Sequence, residues 1–270
     1  MIPKNLLINA DDFGLDPRMS LGILKAIEAG VINAFSVMPF KDEYQLGLFQ
    51  KMITDYPEIK IGVHLSLLSA HMQKNLQVNS SPVDLRYEEN PTHFRQLALE
   101  YFLGRVKPVQ VYSEWKFQIE FLQNILGSNK KINHLNSHQH LHVLPGLWSV
   151  AKSLQTEFNI PELRVPYEGI ERNLTVKFPF GAMLQVLSKW RMEKESREFF
   201  GFNSSTAYRF SHSQKQLAQV LRYPEKKFEL MVHPAAQVEG QNFEVPLNPK
   251  QFEEVMELQK TVEFFSNVYK

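Results

Sequence analysis

Four of the nine histidines in this chain fall within nine residues. They are His134, His138, His140 and His142. All four positions are even, so the side chains share one face for as long as the backbone stays extended. Adjacent members of the row then lie ~6.6 Å apart, close enough for two imidazoles to bind one ion, whereas His134 and His142 are too far apart to join one site. Because neutral imidazole is a good ligand for divalent transition metals, the block predicts a metal site.

Two adjacent carboxylates, Asp11 and Asp12, follow the first apolar run of the sequence. Neighbouring residues of an extended segment point to opposite sides, so these two carboxylates are predicted to have different surroundings and different roles. That arrangement suits one metal ligand and one general base. A structural interpretation stays open, in which one aspartate caps the next helix and the other forms an ion pair.

Three further polar side chains, His64, Arg164 and His233, interrupt or end runs that are otherwise typical of buried strands. A lone histidine such as His64 is more often satisfied by a hydrogen bond than by a metal. His233 precedes a proline that ends regular structure, and its ordinary pKa near neutrality makes it a candidate general acid. Arg164 could hold Asp11 or a substrate oxygen, or pair with Glu162.

The elements that must position these residues alternate between short apolar runs and longer stretches of helical period. This alternation is typical of repeated βα units and a largely parallel sheet. Strands are predicted at residues 5–10, 34–38, 60–67, 131–137, 162–165 and 228–232. In such folds the functional residues gather at the carboxyl ends of the strands, which is where the candidates above lie.

The first predicted helix has the clearest boundaries, because Asp16 can cap it, Pro17 suits its first turn and Gly30 can end it. Other helices are predicted at residues 92–103, 112–126, 146–158 and 249–260, the last with Asn248 as its cap. Residues 168–211 break the alternation and show no clean strand, so we interpret them as an excursion beside the active face. This segment could form an apolar wall for a lipid-linked substrate or a helix packed on the core.

The composition limits the class of protein. A chain of 270 residues with 43% hydrophobic and 22% charged residues is typical of a globular protein, and we expect a single α/β domain over residues 1–270. Its net charge of +1 offers no basic stripe for nucleic acid. Without cysteine, metal ligands must be His, Asp or Glu. No apolar run approaches the ~20 residues that span a bilayer and no signal peptide is evident, so we expect a cytoplasmic protein.

Together these residues resemble the YdjC-like carbohydrate deacetylase family, which includes the chitooligosaccharide deacetylases and the hopanoid-biosynthesis proteins called HpnK. The motifs that carry the resemblance are NADDFG at 9–14, GVHLSL at 62–67, HLNSHQHLHVLP at 134–145, LRVPYE at 163–168 and MVHPA at 231–235. They span nearly the whole chain, and the double Asp with the His-rich block is specific. The chitooligosaccharide branch usually has Asp where this chain has Asn136, so the chain looks more like the HpnK branch.

The resemblance implies a deformed (β/α) barrel and removal of an N-acetyl group from an amino sugar, either an N-acetylglucosaminyl lipid or a chitooligosaccharide. It also implies one divalent metal ion, magnesium or zinc, with Asp12, His64 and His138 as its ligands. Asp11 is then the catalytic base and His233 the acid. The residues expected to support the ligands or contact the sugar are Asn136, His140, His142 and Arg164. A lipid substrate would place the protein at the membrane periphery, and a homodimer stays open.

Two other functions stay open at this point. Histidine and aspartate ligands also serve phosphate esters, so a metal-dependent phosphoesterase or another hydrolase on a similar barrel is the first alternative. Against it, the sequence lacks the additional carboxylates or lysine that a two-metal phosphate site commonly uses. The second alternative is a sugar-binding protein without catalysis, but that requires a missing base or ligand, and none is missing.

Overall fold

The computed structural model of the chain describes residues 1–67, 101–168, 179–201, 208–239 and 247–268, which surround one parallel sheet. Its strands are β1 (Leu6–Phe13), β2 (Ala34–Val37), β3 (Lys60–Leu65), β4 (His134–Ser137), β5 (Glu162–Leu163), β6 (Glu198–Phe200) and β7 (Phe228–Val232). Its α-helices are α1 (Pro17–Glu28), α2 (Glu43–Asp55), α3 (Pro108–Leu126), α4 (Leu147–Glu157), α5 (Pro179–Arg191), α6 (Phe210–Arg222) and α7 (Glu254–Val268). Short 3-10 segments occur at Gly127–Asn129, His138–Val143 and Pro249–Glu253.

The strands lie in the order β5-β4-β3-β2-β1-β7-β6, and every neighbouring pair is parallel. A contact between side chains at its two edges shows that the sheet is curled. Arg197, next to β6, donates from Nε to Oε2 of Glu162 in β5 at 2.7 Å. The edge strands β5 and β6 are not paired with each other in the described residues. The fold is therefore the deformed (β/α) barrel that the family resemblance implied, with side chains bridging its two edges at this point.

Alternate residues of each strand face the helices and the barrel interior, as the period of a strand requires. On β1, Leu6 and Ile8 pack in the apolar core together with Ile23 of α1. Burying such a side chain fully contributes about 1.5–3 kcal/mol. The intervening residues Asn9 and Asp11 are also buried, but they make polar contacts inside the barrel. The polar interior is therefore built on strands whose outer face is fixed by apolar packing.

Most of the predicted elements are present, with shifted ends. All six predicted strands are found, and β1 runs on to Phe13, beyond the predicted end at residue 10. Asp16 caps α1 as predicted, since its Oδ1 accepts from the backbone N–H of Arg18 at 2.7 Å. Asn248 caps the 3-10 segment that leads into α7. The predicted helix at 92–103 lies mostly outside the described residues, and none of the described helices has the length and apolarity to cross a bilayer.

Residues 168–211 contain a strand that the sequence analysis did not find, whereas the excursion beside the active face stays a prediction. The described part of this segment contains α5 and β6, and β6 extends the main sheet by pairing with β7 at Phe200 and Leu230. A strand of three residues is too short to show a period, which is why the sequence gave no signal for it. Residues 169–178 and 202–207 lie outside the described residues. The helices α2 and α6 were also not predicted.

Candidate metal centre

A β-bulge near the end of β1 places two carboxylates in the mouth of the barrel. Ala10 pairs with Phe35 but Phe13 pairs with Val37, so β1 has one extra residue over this stretch. Asp12 takes a φ of 70°, a left-handed conformation that is uncommon for a residue with a side chain. The bulge interrupts the strict alternation that the sequence predicted. Asp11 and Asp12 are consequently both buried at the carboxyl end of the sheet.

Asp12, His64 and His138 converge at this mouth from β1, β3 and the segment after β4. Oδ1 of Asp12 lies 2.9 Å from Nε2 of His64 and 2.9 Å from Nδ1 of His138. The three ligand atoms all lie within 4.8 Å of one another. Residues that are far apart in the chain, and that were predicted as ligands, therefore form one group that could hold a metal ion.

The histidine row does not stay extended beyond Ser137, so the condition under which all four side chains would share one face is not met. β4 ends at Ser137, and the next six residues form a 3-10 segment. Gln139 and His140 have φ angles of 52° and 59°, which turn the chain out of the strand direction. This turn separates His138, which contacts Asp12, from the histidines that follow it.

The other three histidines of the row are buried and are not part of the group formed by Asp12, His64 and His138. His142 hydrogen bonds to Ser137 and, through Nε2, to the carbonyl oxygen of Arg164 at 2.8 Å. The ring of His140 packs edge-on against Phe199 with a centroid distance of 5.6 Å. Burial lowers the pKa of His140 well below its ordinary value and that of His142 to about 3, so both are neutral. Their burial favours supporting roles over direct contact with a sugar.

His134 lies deeper in the barrel, against the backbone of β3. A Cβ atom at Gly62 would lie 2.2 Å from Nε2 of His134, so only glycine leaves room for this ring. Burial lowers the pKa of His134 to about 3, and the positive charge of Arg164 contributes to the shift. His134 is therefore a neutral interior residue that takes no part in the ligand group.

Asp11 is surrounded by hydrogen-bond donors. Oδ2 accepts from Nη1 of Arg164 at 2.6 Å. The donors to Oδ1 are Asn9 at 2.6 Å, Arg164 Nη2 at 2.8 Å, Ser36 at 3.1 Å and Asn136 at 3.1 Å. Burial by itself would raise the pKa of Asp11, but Arg164 and His64 hold it well below its usual range. Asp11 is thus an ionised carboxylate that accepts four hydrogen bonds at Oδ1 and one at Oδ2.

Arg164 is buried between two carboxylates, Asp11 and Glu229. Its Nε donates to Oε1 of Glu229 at 2.8 Å, while its two Nη atoms bind Asp11. Burial would lower the pKa of Arg164, but these two carboxylates raise it overall. The sequence left Asp11 and Glu162 open as partners of Arg164. In the structure Arg164 binds Asp11, and Glu162 binds Arg197 instead.

The hydrogen bonds of Asn136 determine where His64 carries its proton. Nδ2 of Asn136 donates to Asp11, so its Oδ1 faces Nδ1 of His64 at 2.8 Å and accepts from it. The lone pair of Nε2 on His64 then points at Oδ1 of Asp12, 2.9 Å away. Two lone pairs at that distance repel each other unless a cation or a proton lies between them. The ligand atoms of Asp12, His64 and His138, together with the hydrogen bond from His64 to Asn136, therefore fit a bound cation.

His233 stands across the mouth from these ligands, directly after β7. Its Nε2 lies 3.6 Å from Oδ2 of Asp12. Burial lowers the pKa of His233, and the charges of Asp12 and Asp11 offset this only in part. Within the described residues its Nδ1 has no hydrogen-bond partner. His233 is thus close enough to the ligand group to exchange a proton there, although it is not part of that group.

A model of one protein family, the YdjC-like proteins, matches residues 5–264 of the chain. The chain belongs to the YdjC-like family. A carbohydrate deacetylase of Enterococcus faecalis is 29% identical over 162 residues, which are 60% of this chain and 58% of that protein's length. A chitooligosaccharide deacetylase of Yersinia pestis is 24% identical over 237 residues, 86% of this chain and 82% of that protein.

The fold of this YdjC-like chain also matches a solved structure. The crystal structure of a proposed cellobiose-phosphate cleavage protein from Enterococcus faecalis aligns with a TM-score of 0.63 and 23% sequence identity. The alignment covers 98% of this chain and 95% of the other. The two proteins therefore share a fold over nearly their whole length.

The YdjC-like site also contains residues that the sequence analysis did not single out, namely Ser36, Glu229, Gln251 and Glu254. Ser36 and Glu229 each interrupt an apolar strand, and the same signal identified His64 and Arg164. Glu254 gives no such signal, because an acidic residue in the first turn of a helix is common. Its contact with the backbone of His233 emerges only in three dimensions.

Proposed function

We propose that this YdjC-like protein is a metal-dependent deacetylase that removes the N-acetyl group of an amino sugar. The observation that carries the proposal is the convergence of Asp12, His64 and His138 around one point. His233 lies 3.6 Å from Asp12 and supplies a titratable group beside them. The names of the relatives, carbohydrate deacetylase and chitooligosaccharide deacetylase, support this reaction class.

The proposed cofactor is one divalent metal ion held by Asp12, His64 and His138. One carboxylate and two imidazoles suit zinc, and the family resemblance adds magnesium as the second candidate. Such an ion supplies Lewis-acid chemistry, since it lowers the pKa of a water molecule and polarises a carbonyl group. Asn136 contributes by holding the proton of His64 on Nδ1, which keeps Nε2 available.

In the proposed reaction Asp11 accepts a proton from the attacking water and His233 donates one from Nε2 to the departing nitrogen. A C–O bond forms, the C–N bond of the amide breaks, and the products are acetate and a free amine. Asp11 accepts four of its five hydrogen bonds at Oδ1 and one at Oδ2, so within the described residues Oδ2 keeps a lone pair that can take the proton. Arg164, which supplies two of them, keeps the carboxylate in place meanwhile.

For the substrate we propose an N-acetylglucosaminyl lipid ahead of a chitooligosaccharide, with the protein then working at the membrane periphery. The support is Asn136, which stands where the chitooligosaccharide branch usually has Asp. Asn136 donates to Asp11 and accepts from His64 at the same time. An aspartate in this place would set a second carboxylate about as close to Asp11 and could not donate when ionised. The site of this chain is therefore electrostatically different at that position.

The proposed function is tested by measuring what the metal-loaded protein releases. Zinc- or magnesium-loaded protein is incubated with an N-acetylglucosaminyl lipid, with chitobiose and with an aryl phosphate, and both acetate and phosphate are quantified. Acetate release that stops on chelation and returns with metal supports the proposal. Phosphate release without acetate would establish the phosphoesterase alternative, and binding without either product would establish a sugar-binding protein.

A further inference from the structure

The buried side chain of His233 makes few polar contacts of its own. Its Nε2 lies 3.6 Å from Asp12, and its Nδ1 has no hydrogen-bond partner among the residues that the structure describes. A general acid must nevertheless stay within reach of the nitrogen that it protonates. The position of this ring must therefore come largely from the backbone that carries it.

That backbone is clamped by the segment that begins the C-terminal helix. Oε2 of Glu254 accepts from the N–H of His233 at 2.7 Å. Nε2 of Gln251 donates to the carbonyl oxygen of His233 at 3.2 Å. The carbonyl of Gln251 also accepts from the N–H of Ala235 at 3.1 Å. Both backbone groups of His233 are thus bound by side chains more than fifteen residues further along the chain.

The opposite side of this loop rests against helix α1. A Cβ atom at Gly22 would lie 2.4 Å from the Cα of Ala235, so the helix backbone and the loop are in close contact. The N–H of Ala236 also donates to the carbonyl of Arg18 at 2.9 Å. The loop after β7 is therefore held between α1 on one side and the residues Gln251 and Glu254 on the other.

Glu254 is an unusual choice for a purely structural clamp. It is completely buried, and its second oxygen accepts from the N–H of Tyr208 at 3.1 Å. Burial raises the pKa of Glu254 to about 7, and the N–H groups of His233 and Tyr208 offset this only in part. A buried carboxyl group costs free energy that an apolar residue would not. Its presence is better explained by the position that it gives His233.

We propose that Glu254 is a positioning residue that holds His233 at the mouth of the barrel. This inference rests on the proposed deacetylase function, in which His233 is the acid. It adds a requirement to that function, because the start of α7 then becomes part of the machinery that sets the rate.

The chain offers a matched control for Glu254 one helical turn further on. Oε2 of Glu257 accepts from the N–H of Phe210 at 3.0 Å. Glu254 and Glu257 thus both hold the backbone at the start of α6, through Tyr208 and Phe210 respectively. Only Glu254 also reaches His233. Comparing the two glutamates separates the contact with His233 from the packing of α6 on α7.

The experiment compares Glu254→Gln and Glu257→Gln in the metal-loaded, full-length protein. A glutamine can accept at only one end, so Glu254→Gln leaves the N–H of His233 or of Tyr208 facing an amide N–H. We expect kcat to fall by roughly 100-fold, as a misplacement of about 1 Å in an active site typically causes. KM and metal affinity should stay unchanged, and Glu257→Gln should keep the wild-type kcat.

A second measurement does not depend on activity. Amide hydrogen exchange and the ring NMR signals of His233 should change in Glu254→Gln, whereas Glu257→Gln should affect exchange at Phe210 only. Gln251→Met, which removes the bond to the His233 carbonyl, provides a second variant with the same expected change at His233. Wild-type exchange and ring signals at His233 in both variants would overturn the proposal, as would an equal loss of kcat in Glu257→Gln. If the wild-type protein releases no acetate, the proposed function fails while the NMR comparison still decides the role of Glu254.

Discussion

Asp11 and Asp12 are neighbours in the chain, yet the regions around them are built differently. The Asp11 region, formed by Asp11, Arg164, Glu229 and Asn136, pairs each charge with an opposite charge or a hydrogen-bond donor. The Asp12 region, formed by Asp12, His64, His138 and His233, brings one carboxylate against three imidazoles. Both carboxylates have a pKa below the ordinary value, but a buried arginine is responsible in the first region and histidines in the second.

The two regions show how one β-bulge can place one carboxylate in a permanent ion pair and its neighbour among groups that can bind a metal. Arginine stays charged at every accessible pH, so the Asp11 region is complete as it stands. Histidines can lose their protons to bind a metal, so the Asp12 region changes its charge with what it binds. Apart from their effects on turnover, we therefore expect substitutions in the Asp11 region to affect mainly stability, and substitutions of the proposed ligands in the Asp12 region to affect mainly metal binding.

The largest effect is expected for Arg164→Met, which leaves Asp11 and Glu229 buried without their shared counter-ion. Removing one partner of a buried ion pair costs about 3–5 kcal/mol. The free energy of unfolding from urea titration should fall by that amount. The matched control is Arg197→Met, whose ion pair with Glu162 is partly exposed and should contribute under ~1 kcal/mol. Equal losses in the two variants would contradict the description of the Asp11 region.

The next effect concerns metal binding in the Asp12 region. His138→Ala removes one of three proposed ligands, and we expect metal affinity to fall by more than ~100-fold, since even residues behind the ligands contribute 10–100-fold. The unfolding free energy of the metal-free protein should change little. Titration calorimetry with zinc measures the affinity, and His212→Ala, at an exposed position on α6, is the control. Unchanged affinity in His138→Ala would remove it from the ligand set.

Asn136 joins the two regions, so its substitution should affect both. Asn136→Leu removes the acceptor for His64 Nδ1 and a donor to Asp11. Metal affinity should fall by about 10–100-fold and the unfolding free energy by about 1–3 kcal/mol. Asn133→Leu is the control, because Asn133 binds the backbone of Ile61 instead. The control should lose stability but keep its metal affinity, and a loss of affinity there would break the comparison.

The smallest effect, taken over a single pH unit, is a dependence of stability on pH below neutrality. His134 and His142 each have a folded pKa of about 3 against an unfolded value of 6.5. Between these values the unfolded chain binds a proton that the folded chain does not. Stability is therefore fully present above pH 6.5 and falls as the pH is lowered towards 3, by up to ~1.4 kcal/mol per pH unit for each histidine. In His134→Leu the slope of the unfolding free energy against pH should be smaller by one proton, and an unchanged slope would contradict the buried, neutral state of His134.

Much of the site could be predicted because its residues carry local signals. His64 is a polar residue in an apolar strand, Arg164 directly follows β5, and the paired aspartates lie near the end of a strand that is otherwise apolar. Parallel strands then bring their carboxyl ends to one edge without any knowledge of the details. The α/β class and most strand positions were predictable for the same reason.

The remaining features depend on contacts between distant residues. The bulge at Asp12 is a mismatch between β1 and β2, and β1 alone does not reveal it. The partner of Arg164 could not be chosen from the sequence, because Asp11 lies 153 positions away. β4 ends at Ser137 as predicted, but the regular spacing of the histidines continues past that point and does not indicate the left-handed turn at Gln139 and His140. The role of Glu254 requires the packing of α7 beside β7.

The two edge strands of the sheet, β5 and β6, are short and are bridged by side chains, which bears on self-association. Strands at the border of a sheet expose unpaired backbone groups that can recruit a strand from another molecule. Here the two border strands contain only two and three residues, and the Arg197–Glu162 ion pair stretches from one to the other. Within the described residues an incoming chain would find only these short strands to pair with and a salt bridge in its way, which protects this border of the sheet from fibril-like growth.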